Sequence, residues 1–510
     1  MASRISFSGA FSRSLDVVER VGNALPHPAS LFAILAVSVA LVSWVGTLLD
    51  LTAVHPADES VIVTRSLLSQ EGIAWIYSNV TENFVRFPPL GYVLVAMIGI
   101  GVAEGSGLFS TLIRSLVLNA PKHLITASVV FAGVISHLAS EAGYVILIPL
   151  GAMIFHALGR HPMAGLAAAF CGVSGGFGAN FLIGSVDPIL AGLTQSAAQI
   201  IEPSMTVSAA VNLYFMFASA MMIVVLGTLI TERIVEPRLK DYTGTVEQLP
   251  VEEVTPLEKK GLRWAGIAVL ALVAALALTI IPEAGLLRNP ETGEILHSPF
   301  FDGLITGILL FFVVPGLVYG FVTRSVRSDK DVVRYMTKSM SGLAGYIVLV
   351  FFAAQFVYFF RYSNLGIILA IHGADFLRSV GLTGIPLILA FVVFSAFVNM
   401  FMGSASAKWA ILAPVFIPMF MLLGYHPALT QMAFRIGDSV TNVVTPMMSY
   451  FALIVTFAQK YDERYGIGTI ISTMLPYTFL FWLVWSLLLM AWMLLGLPVG
   501  PDGPLSMPPR

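Results

Sequence analysis

The residues able to do chemistry in this chain are few and sit inside apolar stretches. The run from Arg435 to Pro446 reads Arg-Ile-Gly-Asp-Ser-Val-Thr-Asn-Val-Val-Thr-Pro. Pro446 has no N–H to donate, which frees the carbonyl of Asn442. Loosened carbonyls, the neighbouring hydroxyls and the Asp438 carboxylate together make a set of hard oxygen donors, the kind that holds Na⁺ at a broken membrane helix. Asn399 can add an amide oxygen, so Asn399 and Asp438 are the candidate Na⁺ ligands. Arg435 precedes Asp438 by three residues, shares its helix face and can pair with it. The competing reading is an internal salt bridge that merely neutralises two buried charges.

A second cluster, Gly403-Ser-Ala-Ser406-Ala-Lys408-Trp409, combines small residues with hydroxyls, a cation and an indole. Small residues let backbone approach a ligand closely. Ser406 can hydrogen-bond a carboxylate or amide, and Trp409 can stack on an aromatic ring. The alternative makes Trp409 an interfacial anchor and Ser406 helix–helix glue. A third cluster runs from Gly172 to Asn180, with four glycines in Gly172–Gly178, followed by Asp187-Pro188. Asn180 and Asp187 can supply oxygen ligands or relay a proton, although an Asp-Pro pair also caps a helix. Glu141 stands where the second cluster has Ser406, and a carboxylate protonated in one state could take up and release H⁺. His137, His161 and His426 lack metal-ligand spacing and read as structural. Glu104 reads as a boundary residue, and Arg361 has no assigned role.

No GxxxxGK[ST], HExxH or GxSxG pattern occurs, so neither ATP nor a recognised hydrolytic centre drives the protein. The single cysteine, Cys171, excludes an internal disulfide. A net charge of −2 offers nothing to nucleic acid. No cofactor is expected beyond Na⁺ or H⁺ as a coupling ion.

The elements that must position these residues are membrane helices. The chain is 57% hydrophobic and 11% charged, against about 25% charged in a soluble domain. Blocks such as Phe32 to Leu49 and Trp264 to Ile281 approach the ~20 residues that cross a bilayer core. Hydropathy places nine spans at 28–50, 86–108, 163–200, 206–231, 262–282, 300–324, 341–372, 428–457 and 467–497. Of these, 163–200 and 428–457 are too long and too rich in Gly or Ser to be simple rods. Two further stretches, 122–158 and 384–424, are interrupted midway and read as re-entrant hairpins. With the N-terminus in the cytoplasm, nineteen of the 27 Lys/Arg fall inside and five outside, as the positive-inside rule requires. Arg361, Lys408 and Arg435 lie within apolar sequence. Burying such charges costs roughly 2.5–3.5 kcal/mol each, so they mark a pathway or a pair.

Residues 140–162 and 405–427 match without gaps at nine of 23 positions, ending in a shared Leu-Gly-x-His-Pro. On the charge count the first copy starts inside and the second outside. Inverted repeats with broken helices are the signature of alternating-access transporters, with solute bound at the repeat interface. An intramembrane enzyme using Asp187 and Asp438 as a carboxylate pair has no reason for this duplication. The expected organisation is a cytoplasmic segment 1–27; a first repeat 28–231 with hairpin 122–158 and broken helix 163–200; a cytoplasmic linker 232–261; an extra helix 262–282; a second repeat 283–497 with hairpin 384–424 and broken helix 428–457; and a tail 498–510.

The Gly-Ser-Ala-Ser-Ala-Lys-Trp tip, the Arg435-x-x-Asp438-Ser-x-Thr-Asn-x-x-Thr-Pro446 run and Gly-Gly-Phe-Gly-Ala-Asn with Asp187-Pro resemble the p-aminobenzoyl-glutamate transporter (AbgT) family over essentially the whole chain. The resemblance implies an all-α polytopic fold like that of the ion-transporter superfamily: nine transmembrane helices and two re-entrant hairpins in an inverted repeat. It implies a homodimer in a bacterial inner membrane, here with the N-terminus cytoplasmic and the C-terminus periplasmic. It implies uptake of p-aminobenzoyl-glutamate or export of sulfonamide antimetabolites. Both carry a p-amino-substituted benzene ring, suited to stacking on Trp409. The family's functional residues map to Asp187, Asn399, Ser406, Trp409, Arg435, Asp438 and Pro446. Another small carboxylate, such as a dicarboxylate, is the alternative cargo.

Overall fold

The computed structural model describes residues 26–54, 59–139, 143–239, 241–244, 246, 253–295 and 298–508. Glu141 lies outside the described residues. The described chain is mainly helical, with one small antiparallel pair, β1 (Thr52–Val54) and β2 (Val61–Val63). Its first part runs through α1 (Pro28–Leu48), α2 (Gln70–Val85), α3 (Pro88–Gly105) and α4 (Leu108–Leu118). The arms of the first hairpin segment are α5 (Ile125–Ile135) and α6 (Ile148–Ala157), and the glycine-rich break lies between α7 (Pro162–Phe170) and α8 (Val186–Ala198). Then come α9 (Leu213–Ile230), α10 (Pro256–Ile280), α11 (Leu304–Thr323), α12 (Asp329–Gly342), α13 (Ala344–Tyr362) and α14 (Leu365–Ser379). The second hairpin is α15 (Gly384–Asn399) with α16 (Ala405–Leu422), the second broken helix is α17 (Pro427–Asn442) with α18 (Phe451–Gln459), and α19 (Ile467–Leu494) ends the bundle.

Among the described residues, eight helical runs are long and apolar enough to cross a membrane. They do not all meet the same surroundings. Only 6% of the most apolar window of α10 is buried, against 72% for α16. The first therefore turns its apolar surface outward, whereas the second is enclosed by protein. Enclosure is what a broken, polar-tipped segment needs, because lipid cannot satisfy its freed backbone groups.

The duplicated Leu-Gly-x-His-Pro builds the same turn twice. Gly159 and Gly424 take positive φ, at 72° and 91°, a conformation that suits glycine after a helix C-terminus. Arg160 N–H then bonds Phe155 O at 2.8 Å, and Tyr425 N–H bonds Phe420 O at 2.9 Å. His161 and His426 each cap the next helix through Nδ1, accepting from Met163 N–H at 3.1 Å and Ala428 N–H at 3.2 Å. Pro162 and Pro427 occupy the first helical turn, where a missing N–H costs nothing. Both histidines are thus structural, as their spacing suggests.

Three helices escaped the hydropathy reading. α2, α4 and α12 are amphipathic, so a scan for uniformly apolar spans passes over them. α12 starts at a capping box in which the Asp331 carboxylate accepts from the N–H groups of Arg327 and Ser328. The span expected over 341–372 is also divided. α13 stops at Tyr362, and Asn364, at φ 60°, begins α14. Arg361 therefore lies in the last turn of α13 and is exposed, a helix-end position from which a long cation reaches water. It does not interrupt a span. α14 meets α15 at 119°, and α4 meets the run Lys122–Leu138 at 114°, so both hairpin segments are entered through a sharp bend.

Backbones approach closely where glycines face each other, as membrane helix packing favours. A Cβ on Gly165 would stand 2.2 Å from Gly151 O, which fixes α7 against α6. The glycine-rich break is covered by protein on several sides. Gly172 abuts Val130 O, Gly175 abuts Phe481, and Gly178 abuts Arg435 O and the Ser439 hydroxyl.

Candidate functional site

The second hairpin tip rests on the break of the second broken helix. A Cβ on Gly403 would lie 2.2 Å from Met447 O, so only glycine permits this contact. Thr445 Oγ1 donates to Met400 O at 3.2 Å, tying the break to the end of α15. Ser404 caps α16 by accepting from Ala407 N–H, and its Oγ lies 3.3 Å from Ser406 Oγ. Ser404 and Ser449 are exposed, while Ser406 and Pro446 are half-buried. Tip and break thus leave accessible residues beside their contact, and a buried charged centre begins in the same turn of α16 at Lys408.

That centre contains two ion pairs. Lys408 Nζ lies 2.5 Å from Asp438 Oδ1 and also donates to Asn399 Oδ1. Arg435 lies 2.5 Å from Asp187 Oδ1. All five residues are buried. Asn399 is fully engaged, since its Nδ2 has two N–H groups to share among Asp438 O at 2.7 Å and Thr441 Oγ1 and Asn442 Oδ1 at 2.8 Å each. The other Asp187 oxygen accepts from Gly184 N–H at 2.6 Å. Asp187 is thus a cap for the start of α8 and an ion-pair partner at once. Arg435 and Asp438 share a face of α17 but do not pair with each other. Each takes a partner from another element, because those partners are also buried charges that must be compensated.

Ser439 joins the two breaks. Its Oγ donates to Arg435 O at 2.6 Å and accepts from Gly178 N–H at 2.7 Å. Trp409 lies inside this assembly, with its ring stacked on Phe434 at 4.5 Å and 26°. Its Nε1 donates to Thr194 Oγ1 at 2.8 Å, Thr194 donates to Gln431 Oε1 at 2.6 Å, and Gln431 Nε2 donates to Asn212 Oδ1 at 2.6 Å. One hydrogen-bonded chain therefore connects the second hairpin, α8, α17 and the start of α9.

The structure thus gathers Asp187, Asn399, Trp409, Arg435 and Asp438 around α17, with Ser406 in the tip and Pro446 in the break. Asn180 is buried in the first break, its amide near Gly184. Sequence reasoning noticed Lys408 without giving it a role, and missed Thr194, Gln431 and Asn212. Gln431, Arg435, Asp438 and Asn442 are spaced as one helix face, and that polar stripe was the available signal for Gln431.

A hairpin tip resting on the break of a discontinuous helix, with buried charges joining it to a second discontinuous helix, defines a membrane transporter rather than an enzyme. The "AbgT putative transporter family" model matches residues 13–507. The chain belongs to the AbgT family. It is 42% identical to the p-aminobenzoyl-glutamate transport protein of Escherichia coli (strain K12) over 499 residues, 98% of each chain. It is similar to the crystal structure of the YdaH transporter of Alcanivorax borkumensis, at 45% identity and a TM-score of 0.89, over 93% of this chain and 100% of that one. It is also similar to Neisseria gonorrhoeae MtrF, described as illuminating a class of antimetabolite efflux pumps, at 50% identity and a TM-score of 0.91, over 96% and 100%.

Proposed function

We propose that the protein is a secondary transporter of p-aminobenzoyl-glutamate, sulfonamide antimetabolites or both, coupled to a Na⁺ or H⁺ gradient and working as a homodimer in a bacterial inner membrane. The observation that carries this is the hairpin tip on the helix break, where the Ser404 and Ser406 hydroxyls stand in the same helical turn as Lys408, the partner of the buried Asp438. In this reading Ser406 and Pro446 meet the cargo first. Arg435 and Asp187 exchange their mutual pair for cargo contacts, and the Trp409 ring becomes available when the tip moves off Phe434. Asn399 and Asp438 hold the coupling ion, with Asn180 and Glu141 as its counterparts in the first repeat. The two repeats, 28–231 and 283–497, run in opposite directions, with the N-terminus cytoplasmic and the C-terminus periplasmic. Coupling requires that ion binding stabilise the cargo-competent state, since a ligand shifts an equilibrium only by its differential affinity.

Relatives carrying the names p-aminobenzoyl-glutamate transport protein and antimetabolite efflux pump support this cargo class. The test is flux of labelled p-aminobenzoyl-glutamate and of a sulfonamide in proteoliposomes under imposed Na⁺ or H⁺ gradients. Gradient-driven movement of either cargo, lost in Asp438→Ala at normal expression, is the expected result. Wild-type flux in that variant removes Asp438 from the mechanism.

A further inference from the structure

The ammonium of Lys408 sits where the coupling ion is expected. Its Nζ is 2.5 Å from Asp438 Oδ1 and hydrogen-bonded to Asn399 Oδ1, so it spans the carboxylate and amide oxygens that suit a hard monovalent cation. Nothing about the hairpin itself calls for a charge there. Lys408 lies in the first turn of α16, behind its cap Ser404, and a cation at a helix N-terminus is opposed by the helix dipole. At the repeat offset of 265 residues Lys408 corresponds to Gly143, so the first hairpin forms its second arm with no side chain at that position. Its place in the first turn and its mate in the other repeat thus both point away from a folding role. The flexible four-carbon stem of lysine carries a compact charge that can withdraw when the tip moves.

We propose that Lys408 is a tethered cation that holds the coupling-ion position when no ion is bound, so that Na⁺ and Lys408 compete for Asp438 and Asn399. The inference rests on the reading of those two residues as the ion site. It adds what links ion binding to the hairpin: Na⁺ can enter only when the tip carries Lys408 out of the position. The empty carrier keeps its carboxylate compensated, because the lysine returns when the ion leaves. A buried carboxylate with no counter-charge would otherwise oppose the return step.

Equilibrium binding of radioactive ²²Na⁺ to the purified full-length protein in lipid nanodiscs, at one pH, tests this without transport. Removing an internal competitor raises apparent affinity by the reciprocal of the fraction of molecules with a free site, here expected to be at least about tenfold. Lys408→Met should therefore bind Na⁺ at least that much more tightly than wild type, and adding Asp438→Asn should abolish the gain. Equal or weaker Na⁺ binding by a folded Lys408→Met protein, or no Na⁺ binding by either protein, overturns the proposal. A second arm uses the wild-type protein and needs no variant to fold. Labelling of Lys408 by an amine-reactive reagent, read by mass spectrometry, should rise with Na⁺ at constant ionic strength, and unchanged or reduced labelling overturns the proposal. Cargo flux in the same preparation separates the two readings. Loss of p-aminobenzoyl-glutamate and sulfonamide flux in wild type would remove the cargo assignment, while the ²²Na⁺ comparison decides the role of Lys408 by itself.

Discussion

The carboxylate of Asp187 and the guanidinium of Arg435 meet at 2.5 Å although 248 positions separate them in the chain. Asp187 opens the second half of one broken helix, and Arg435 lies midway along the first half of the other. The contact is thus a charged pin between the two broken helices, in a region where apolar packing against lipid supplies little association energy. A pin of this kind can be released by a ligand that carries both an acceptor and a donor.

Breaking the pin from one side leaves a buried charge without a partner, which costs about 3–5 kcal/mol. Asp187→Asn and Arg435→Met should each lower the thermal midpoint of the purified protein markedly. The double variant should lose less than the sum of the two, because no uncompensated charge remains. Additive losses would show that the two residues do not interact in the protein's resting state.

The chain from Trp409 through Thr194 and Gln431 to Asn212 predicts a second coupling. Trp409→Phe keeps the ring against Phe434 but removes the indole donor to Thr194. Loss of one buried hydrogen bond is worth about 1 kcal/mol. Thr194→Val removes the same bond from the other side, so a double-mutant cycle on unfolding should show a non-additive term of similar size. A coupling near zero would place Trp409 outside this chain.

Close packing at the first break predicts a contrast between two glycines. A Cβ on Gly178 would lie 2.6 Å from Ser439 Oγ and 2.8 Å from Arg435 O. The hydroxyl can rotate away but the carbonyl cannot, so Gly178→Ala should cost about 1–3 kcal/mol and weaken transport. Gly266 in α10 has open space around it, and Gly266→Ala should be neutral or stabilising by up to about 1 kcal/mol. Comparing the thermal midpoints and flux of the two variants checks the prediction, which fails if both behave alike.

How much of this was legible beforehand depends on how local the cause was. The hairpin interruptions, both broken helices and the Leu-Gly-x-His-Pro repeat follow from local residue types, and periodicity and self-comparison find them. The stop at Asn364 could not be read, because an apolar stretch continues through it and only the backbone at that residue breaks the helix. The partners of Arg435 and Asp438 were equally hidden. Their shared face suggested a pair, yet Lys408 and Asp187 arrive from a hairpin tip and from another broken helix, and a spacing rule holds no information about elements so far apart. Thr194 and Asn212 looked like ordinary polar residues in helical sequence. Their role emerges only because Gln431 stands between them.

The proposed opposite orientation of the repeats makes the final prediction. Leu158 and Leu423 are repeat mates in the turn after α6 and α16, and both are at least partly exposed. Cys171, the native cysteine, is fully buried, so a thiol reagent should leave it alone and serine can replace it as a precaution. In intact cells a membrane-impermeant maleimide should label Leu423→Cys directly, whereas Leu158→Cys should react only after the membrane is opened. Labelling of both from the same side would mean that the two turns face one compartment. The two repeats would then be parallel, and a centre shared between hairpins entering from opposite faces could not be built from them.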